Sequence, residues 1–142
     1  MFEQDAAPSG STALSSGMVP AAGTRLQAAR GIPDTPETML ADLMAKTHGR
    51  IDRAVARTVC ERSGPTVDWL GERHAVAFEL VDGFVYPGHS HPRMHAPTGR
   101  VGSALMAMLL EAAERAGVPL VTDARVASLY ADADGLVGGL RL

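Results

Sequence analysis

From residue 35 apolar positions recur at helical spacing: Met39, Leu40, Leu43 and Met44 share one face, and Gly49 ends the run. The start is just as legible. Thr35 can accept a backbone N–H as N-cap, Pro36 suits the first helical position, and Glu37 complements the positive end of the helix dipole. A second helix is predicted from Asp52 with Val55 and Val59 on one face, until Ser63-Gly64-Pro65 interrupts it. A third, short helix then carries Val67, Trp69 and Leu70, with Trp69 as the packing anchor of this helical block. At Val76, Phe78 and Leu80 the pattern changes to strand-like alternation, which Asp82-Gly83 closes. A long loop is expected over 84–99. The strongest helical pattern covers about 100–116, where Val101, Leu105, Met108, Leu109, Ala112 and Ala116 form the stripe and Gly117 the stop. Val118 to Thr122 reads as a short buried strand. Two more strands, over 125–131 and 136–142, are joined by the turn Asp132-Ala133-Asp134-Gly135. The organisation is mixed α/β, with no internal repeat.

Composition narrows the function class. The chain has 142 residues, 46% hydrophobic and 20% charged, which is globular composition at the size of one ordinary domain. A net charge of −3 without any basic block argues against a nucleic-acid surface or a polybasic membrane anchor. The longest apolar run, Ala104 to Leu110, is far shorter than the ~20 residues of a membrane span. Acidic Glu3 and Asp5 stand where a signal peptide would be basic. The single cysteine, Cys60, forms no intrachain disulfide and reads as an inert buried thiol. Together these predict a cytoplasmic protein.

Two segments could carry chemistry. The first runs from Glu3 through Pro8-Ser9-Gly10-Ser11-Thr12-Ala13-Leu14-Ser15-Ser16-Gly17-Met18. It reads either as a flexible leader or as an ordered loop with a short helical turn. An acid that ends a strand can accept hydrogen bonds from a ribose diol, and small residues let backbone amides approach a phosphate or a flavin. Ser15-Ser16-Gly17 lacks the strand-turn-helix setting of a hydrolase nucleophile. The second segment is the loop with His89, His91 and His95, beside Arg93 and Arg100. Three imidazoles could hold Zn²⁺, although no carboxylate stands close in sequence. His48 and His74 fall near helix ends, where dipole placement or exposure accounts for them. Asp132 and Asp134 supply too few oxygens for a Ca²⁺ loop.

The segment 3–18 resembles the second FAD-contacting stretch of the fumarate reductase/succinate dehydrogenase flavoprotein family. The resemblance continues through Gln27-Ala28-Ala29-Arg30-Gly31-Ile32 and Val67-Asp68-Trp69-Leu70. The loop Gly88-His89-Ser90-His91-Pro92-Arg93-Met94-His95 is similar to one in the L-aspartate oxidases of that superfamily, which also holds the ketosteroid dehydrogenases. The tail from Ala116 through Thr122-Asp123-Ala124-Arg125-Val126 to Leu140 matches the family's following strand and β-meander, so nearly the whole chain corresponds.

The resemblance implies a partial Rossmann-like FAD-binding domain over residues 1–142. It would comprise a flavin-contacting segment (1–34), a helical block (35–74), and a strand, histidine loop, helix and β-meander (75–142). Glu3 would bind the adenosine ribose, Ser11 and Thr12 would line the pyrophosphate and flavin, and Ser16, Gly17 and Met18 would lie near the flavin ring. A backbone group at Val126 would meet adenine. Ser11 falls where membrane-bound relatives carry a histidine joined to flavin, which implies non-covalent FAD. His95 and Arg93 would face an anionic small-molecule substrate, a dicarboxylate or other activated alkene or alkane. Ser9 replaces the first glycine of the family's pair and would crowd the pyrophosphate if that position needs positive φ. The family's first βα unit, with its G-x-G-x-x-G turn, and its catalytic domain have no counterpart here. The expected function is therefore that of a piece of an FAD-dependent oxidoreductase acting on CH–CH bonds, inactive alone and prone to self-association through an uncovered sheet edge. The alternatives are a non-enzymatic remnant or interaction module, and a small metal-binding protein using the His89/His91/His95 loop.

Overall fold

The computed structural model describes every residue from Met1 to Leu142. Its elements are α1 (Gly10–Leu14), β1 (Val19–Pro20), α2 (Arg25–Ala29), α3 (Pro36–Lys46), α4 (Arg53–His74), β2 (Glu79–Val81), β3 (Met94–Ala96), α5 (Gly102–Arg115), β4 (Ser128–Ala131) and β5 (Val137–Arg141). α3 begins as its sequence dictates: the Thr35 hydroxyl accepts the Thr38 N–H and Pro36 opens the helix. At its far end Gly49 lies at φ 70°.

The expected break at Ser63-Gly64-Pro65 does not occur, and α4 runs unbroken for 22 residues. Gly64 serves a close approach instead. A Cβ there would collide with the Ala22 carbonyl oxygen and lie 3.2 Å from its carbon. The buried face of α4 is Ala56, Cys60, Gly64 and Val67, one residue on from the predicted Val55 and Val59, which are exposed. Small side chains face inward because α4 packs directly on α3 and the Ala21–Gly23 segment. Trp69 is not a buried anchor of this block; it is 52% exposed, with its ring edge-on to His74. The principal core is correspondingly small, formed by Ala22, Met39, Leu40, Ala56 and Cys60 with Leu43, Met44 and Ile51 packed beside it. Burial raises the Cys60 thiol pKa and keeps it protonated, in line with an inert role.

The stretch expected as a continuous loop, 84–99, contains β3, the centre of a three-stranded antiparallel sheet ordered β1-β3-β2. Val19 pairs with His95, and Leu80 pairs with His95 from the other side. The β4–β5 hairpin forms as predicted, closed by the Asp132 carboxylate accepting the Asp134 and Leu136 N–H groups. The predicted strand Val118–Thr122 appears only as a parallel bridge between Phe2 and Val121. It is not buried: Val118, Leu120, Val121 and Phe2 are all exposed, since nothing covers that edge.

Candidate functional site

Two short chain segments converge on the N-terminal end of α5. α1 lies directly against α5: the Gly102 N–H donates to the Ser15 carbonyl oxygen at 2.9 Å, and a Cβ at Gly102 would collide with the Thr12 and Ser15 carbonyls. Ser15 ties the unit together, its hydroxyl donating to the Thr12 carbonyl and accepting from the Gly17 N–H at 2.9 Å. Gly17 is buried at φ 66°, and a Cβ there would come within 3.1 Å of the Pro97 ring. Of the predicted flavin-facing residues, Ser11, Thr12, Ser16 and Gly17 are thus brought to one unit, with Ser11 and Ser16 exposed and Thr12 half-buried. Met18 is half-buried, its sulfur 3.3 Å from the Tyr86 hydroxyl. The concern over Ser9 dissolves. Ser9 sits at φ −135°, and the residue held at positive φ is Gly10, at 56°.

Glu3 and Val126 form a separate pair of positions. The Glu3 N–H donates to Val121 and the Ala124 N–H donates to the Glu3 carbonyl, so the end of this parallel pairing brings Glu3 near the chain leading into Val126. One Glu3 carboxylate oxygen accepts the Asp5 N–H, and Val126 is exposed.

Arg93 and His95 do not face an open site. They are 1% and 0% exposed. Arg93 immediately precedes β3 and His95 lies two residues on within it, so both side chains fall on one face, where Thr24, Gln27 and Asp34 enclose them in a buried polar network. The Arg93 guanidinium donates two hydrogen bonds of 3.0 Å to Asp34 and pairs with Asp42 at 2.8 Å. Gln27 donates to Asp34 at 2.9 Å and to the Pro92 carbonyl at 2.8 Å. The His95 Nδ1 lies 3.1 Å from the Arg93 carbonyl, and its Nε2 lies 2.9 Å from the Thr24 hydroxyl. A carbonyl can only accept, so Nδ1 carries the proton and Nε2 receives the Thr24 O–H. The same hydroxyl caps α2 by accepting the Gln27 N–H. In this chain both side chains are taken up by the network that joins β3 to Thr24 and Asp34.

Burial lowers the His95 pKa, opposed by its backbone hydrogen bonds. The folded state therefore favours neutral imidazole. That contribution is fully present above the unfolded value of about 6.5 and is lost as pH falls through the folded one. For Asp42 burial acts upward, but the Ser90 hydrogen bonds and the Arg93 charge carry it below 3.8, so its contribution is lost only in stronger acid. The urea midpoint should be flat from pH 8 to 7 and decline below about 6.5. In His95→Gln that decline should become shallower, the remainder belonging to His89, whose pKa burial also lowers; an unchanged profile would remove His95 as a source.

His89, His91 and His95 do not converge, and no group of three metal-ligating side chains stands close enough to hold an ion. The zinc alternative loses its geometry, since His95 is taken up by Thr24 and Arg93. His89 is partly enclosed, its Nδ1 without a partner and its pKa lowered by burial. The features missed by sequence reasoning are Ser15, Pro97 and Gly102. The one signal for them is the Gly99-x-x-Gly102 spacing ahead of an apolar helix.

An acid beside a parallel bridge, followed by a short helix seated through glycine on a longer one, suits an α/β domain that meets a nucleotide cofactor. The FAD binding domain family matches residues 1–141, and the chain belongs to it, as the FAD-binding domain of fumarate reductase-like flavoproteins. It is 30% identical over 142 residues to a fumarate reductase (cytochrome) of Shewanella frigidimarina, covering 99% of this chain and 24% of that protein. It is 28% identical over 146 residues to the acrylate reductase flavoprotein subunit of Shewanella woodyi, covering 100% of this chain and 28% of that one. Among solved structures, the open conformation of a flavocytochrome c3 fumarate reductase superposes with a TM-score of 0.83 at 26% identity, over 98% of this chain and 24% of that chain. The 3-ketosteroid-Δ4-(5α)-dehydrogenase of Rhodococcus jostii RHA1, in complex with 4-androstene-3,17-dione, gives 0.79 at 29% identity, over 98% and 35%. The chain spans about a quarter of the length of these curated relatives.

Proposed function

We propose that this chain holds FAD non-covalently within a flavoprotein that oxidises or reduces a carbon–carbon bond of a small molecule. The observation that carries the reading is the likeness to a fumarate reductase over 98% of the chain at a TM-score of 0.83. The residues fit the cofactor: Ser11 and Ser16 present exposed hydroxyls, Gly10 takes the positive φ that a close backbone approach needs, and Gly17 admits no side chain. Glu3 would take the ribose hydroxyls, Ser11 and Thr12 the pyrophosphate, Ser16 to Met18 the flavin edge, and the Val126 backbone the adenine. Bound FAD supplies hydride transfer, and the protein supplies orientation and electrostatics. Arg93 and His95 support this arrangement from below, by fixing β3 against β1 immediately after Met18. No helix is long and apolar enough to cross a membrane, and the lone buried Cys60 suits a reducing cytoplasm.

On titration with FAD, the purified chain should quench flavin fluorescence, and acid precipitation should release all the flavin into the supernatant. Flavin retained in the pellet would contradict the non-covalent reading. We expect no steady dye reduction with fumarate by the 142 residues alone, because the curated relatives are about four times longer.

The accessible surface, 8887 Å², exceeds the roughly 7,000 Å² of a compact monomer of 14.8 kDa. Large apolar side chains are among those left exposed, including Met1, Phe2, Leu120 and Val121 around the parallel bridge. Sedimentation velocity at rising protein concentration should show self-association. A single monomeric boundary throughout would refute it.

A further inference from the structure

Three apolar side chains expected to pack inward, Val55, Val59 and Trp69, are each more than half exposed on α4. They fall on one line. Val55, Val59, Arg62, Thr66, Trp69 and Arg73 follow one another at alternating steps of four and three residues, the seam spacing of a helix that packs on another helix. All six are exposed, and they share an arc of about 80° along a length of about 27 Å. The buried face, Ala56, Cys60, Gly64 and Val67, lies on the other side of the helix.

This stripe is cationic. The carboxylates of α4 lie off it and are already engaged: Glu61 pairs with Arg57 at 3.6 Å, Glu72 pairs with Arg25, and Asp68 accepts the Arg25 N–H. Arg62 and Arg73 are exposed and form no ion pair. Trp69 stands between them, its ring braced edge-on by His74 at 4.2 Å between centroids.

Those two charges select the occupant. A second copy of the chain fits the stripe best antiparallel about Gly64, with Val59 on Trp69. That register sets the two Arg62 side chains about one helical turn apart, with no free carboxylate between them. A lipid surface would have to take in arginines that stand in line with the valines and the tryptophan rather than beside them. A permanently covered face is more apolar and poorer in charge, whereas tryptophan and arginine together are what reversible interfaces use as anchors. Carboxylates on a facing helix would meet both guanidiniums.

We propose that the outer face of α4 docks an acidic amphipathic helix of a separate partner protein, with Trp69 as the apolar anchor and Arg62 and Arg73 receiving its carboxylates. Docking at this face needs no bound flavin.

Trp69 is the single tryptophan of the chain, so its emission reports the face directly. The probe is a synthetic helix with leucine at the positions facing Val55, Val59 and Trp69 and glutamate at those facing Arg62 and Arg73. A twin peptide carries lysine in place of glutamate. Added to the full chain, the acidic peptide should shift Trp69 emission to the blue, saturate, and weaken as salt is raised. It should bind about tenfold more tightly than its twin. Arg62→Gln with Arg73→Gln should bring the two peptides to similar affinity, and Arg62→Glu with Arg73→Glu should reverse the preference. Both positions are exposed, so the melting midpoint should stay in place. No blue shift, equal affinity of the wild type for the two peptides, or a preference that survives the charge reversal overturns the proposal. So does a blue shift produced by phosphatidylglycerol vesicles and not by the acidic peptide, which assigns the face to a membrane. One produced by raising the protein concentration alone assigns it to a second copy and overturns the proposal equally.

Discussion

Arg93→Met lowers the unfolding free energy by about 3–5 kcal/mol, the cost of stranding buried charge. The guanidinium and the Asp34 carboxylate are 1% and 0% exposed, and their planar fork shares two hydrogen bonds of 3.0 Å. Asp42, on α3, adds a second carboxylate at 2.8 Å. Methionine keeps much of the volume, so packing loss is minor and the unpaired carboxylates decide the outcome. Gln27 still donates to Asp34, yet one neutral amide cannot replace a bidentate cation. Arg93→Lys keeps the charge but loses the fork and should fall between. Pairing Arg93→Met with Asp34→Asn removes one stranded charge and should recover part of the loss. Urea unfolding of the four proteins measures this. A loss below about 1 kcal/mol for Arg93→Met would mean the carboxylates find water, contrary to their burial.

That network also marks where the sequence stops being readable. The caps of α3 and the Asp132 turn were legible because their signals lie within a few residues of one another. β3 was not, because Met94–Ala96 is three residues long and follows Pro92; its strand character comes from β1 and β2, distant in sequence. Gly64-Pro65 looked like punctuation because sequence cannot tell a glycine that breaks a helix from one that admits a neighbour's backbone. The same ambiguity misplaced the α4 face: valines attracted the stripe, while tight packing selected alanine, cysteine and glycine. His95 and Arg93 were legible as chemically capable residues, but their burial was not. At the proposed flavin segment the small residues were readable, whereas their seat on α5 depends on a contact spanning nearly ninety residues, between Ser15 and Gly102.

Gly102→Ala tests that seat, and its sign is informative. By intrinsic propensity alanine should stabilise a helix over glycine by up to about 1 kcal/mol. At Gly71, inside α4, the nearest atom to an added Cβ is the Val76 carbonyl oxygen at 3.7 Å, so Gly71→Ala should realise much of that gain. At Gly102 the Cβ would collide with two backbone carbonyls and approach the Ser15 hydroxyl to 2.8 Å. Backbone cannot rotate away as a long side chain can, so α1 must separate from α5, at about 1–3 kcal/mol. The displaced Ser15 hydroxyl is the acceptor for the Gly17 N–H, so the disturbance passes to the proposed flavin edge. FAD affinity should drop by on the order of tenfold or more, if that edge loses even one well-placed contact. Fluorescence titration of both variants separates the cases. A lower melting midpoint with unaltered FAD affinity would make the α1–α5 contact structural only, whereas reduced affinity in Gly102→Ala beside normal affinity in Gly71→Ala ties the flavin segment to the helix on which it sits.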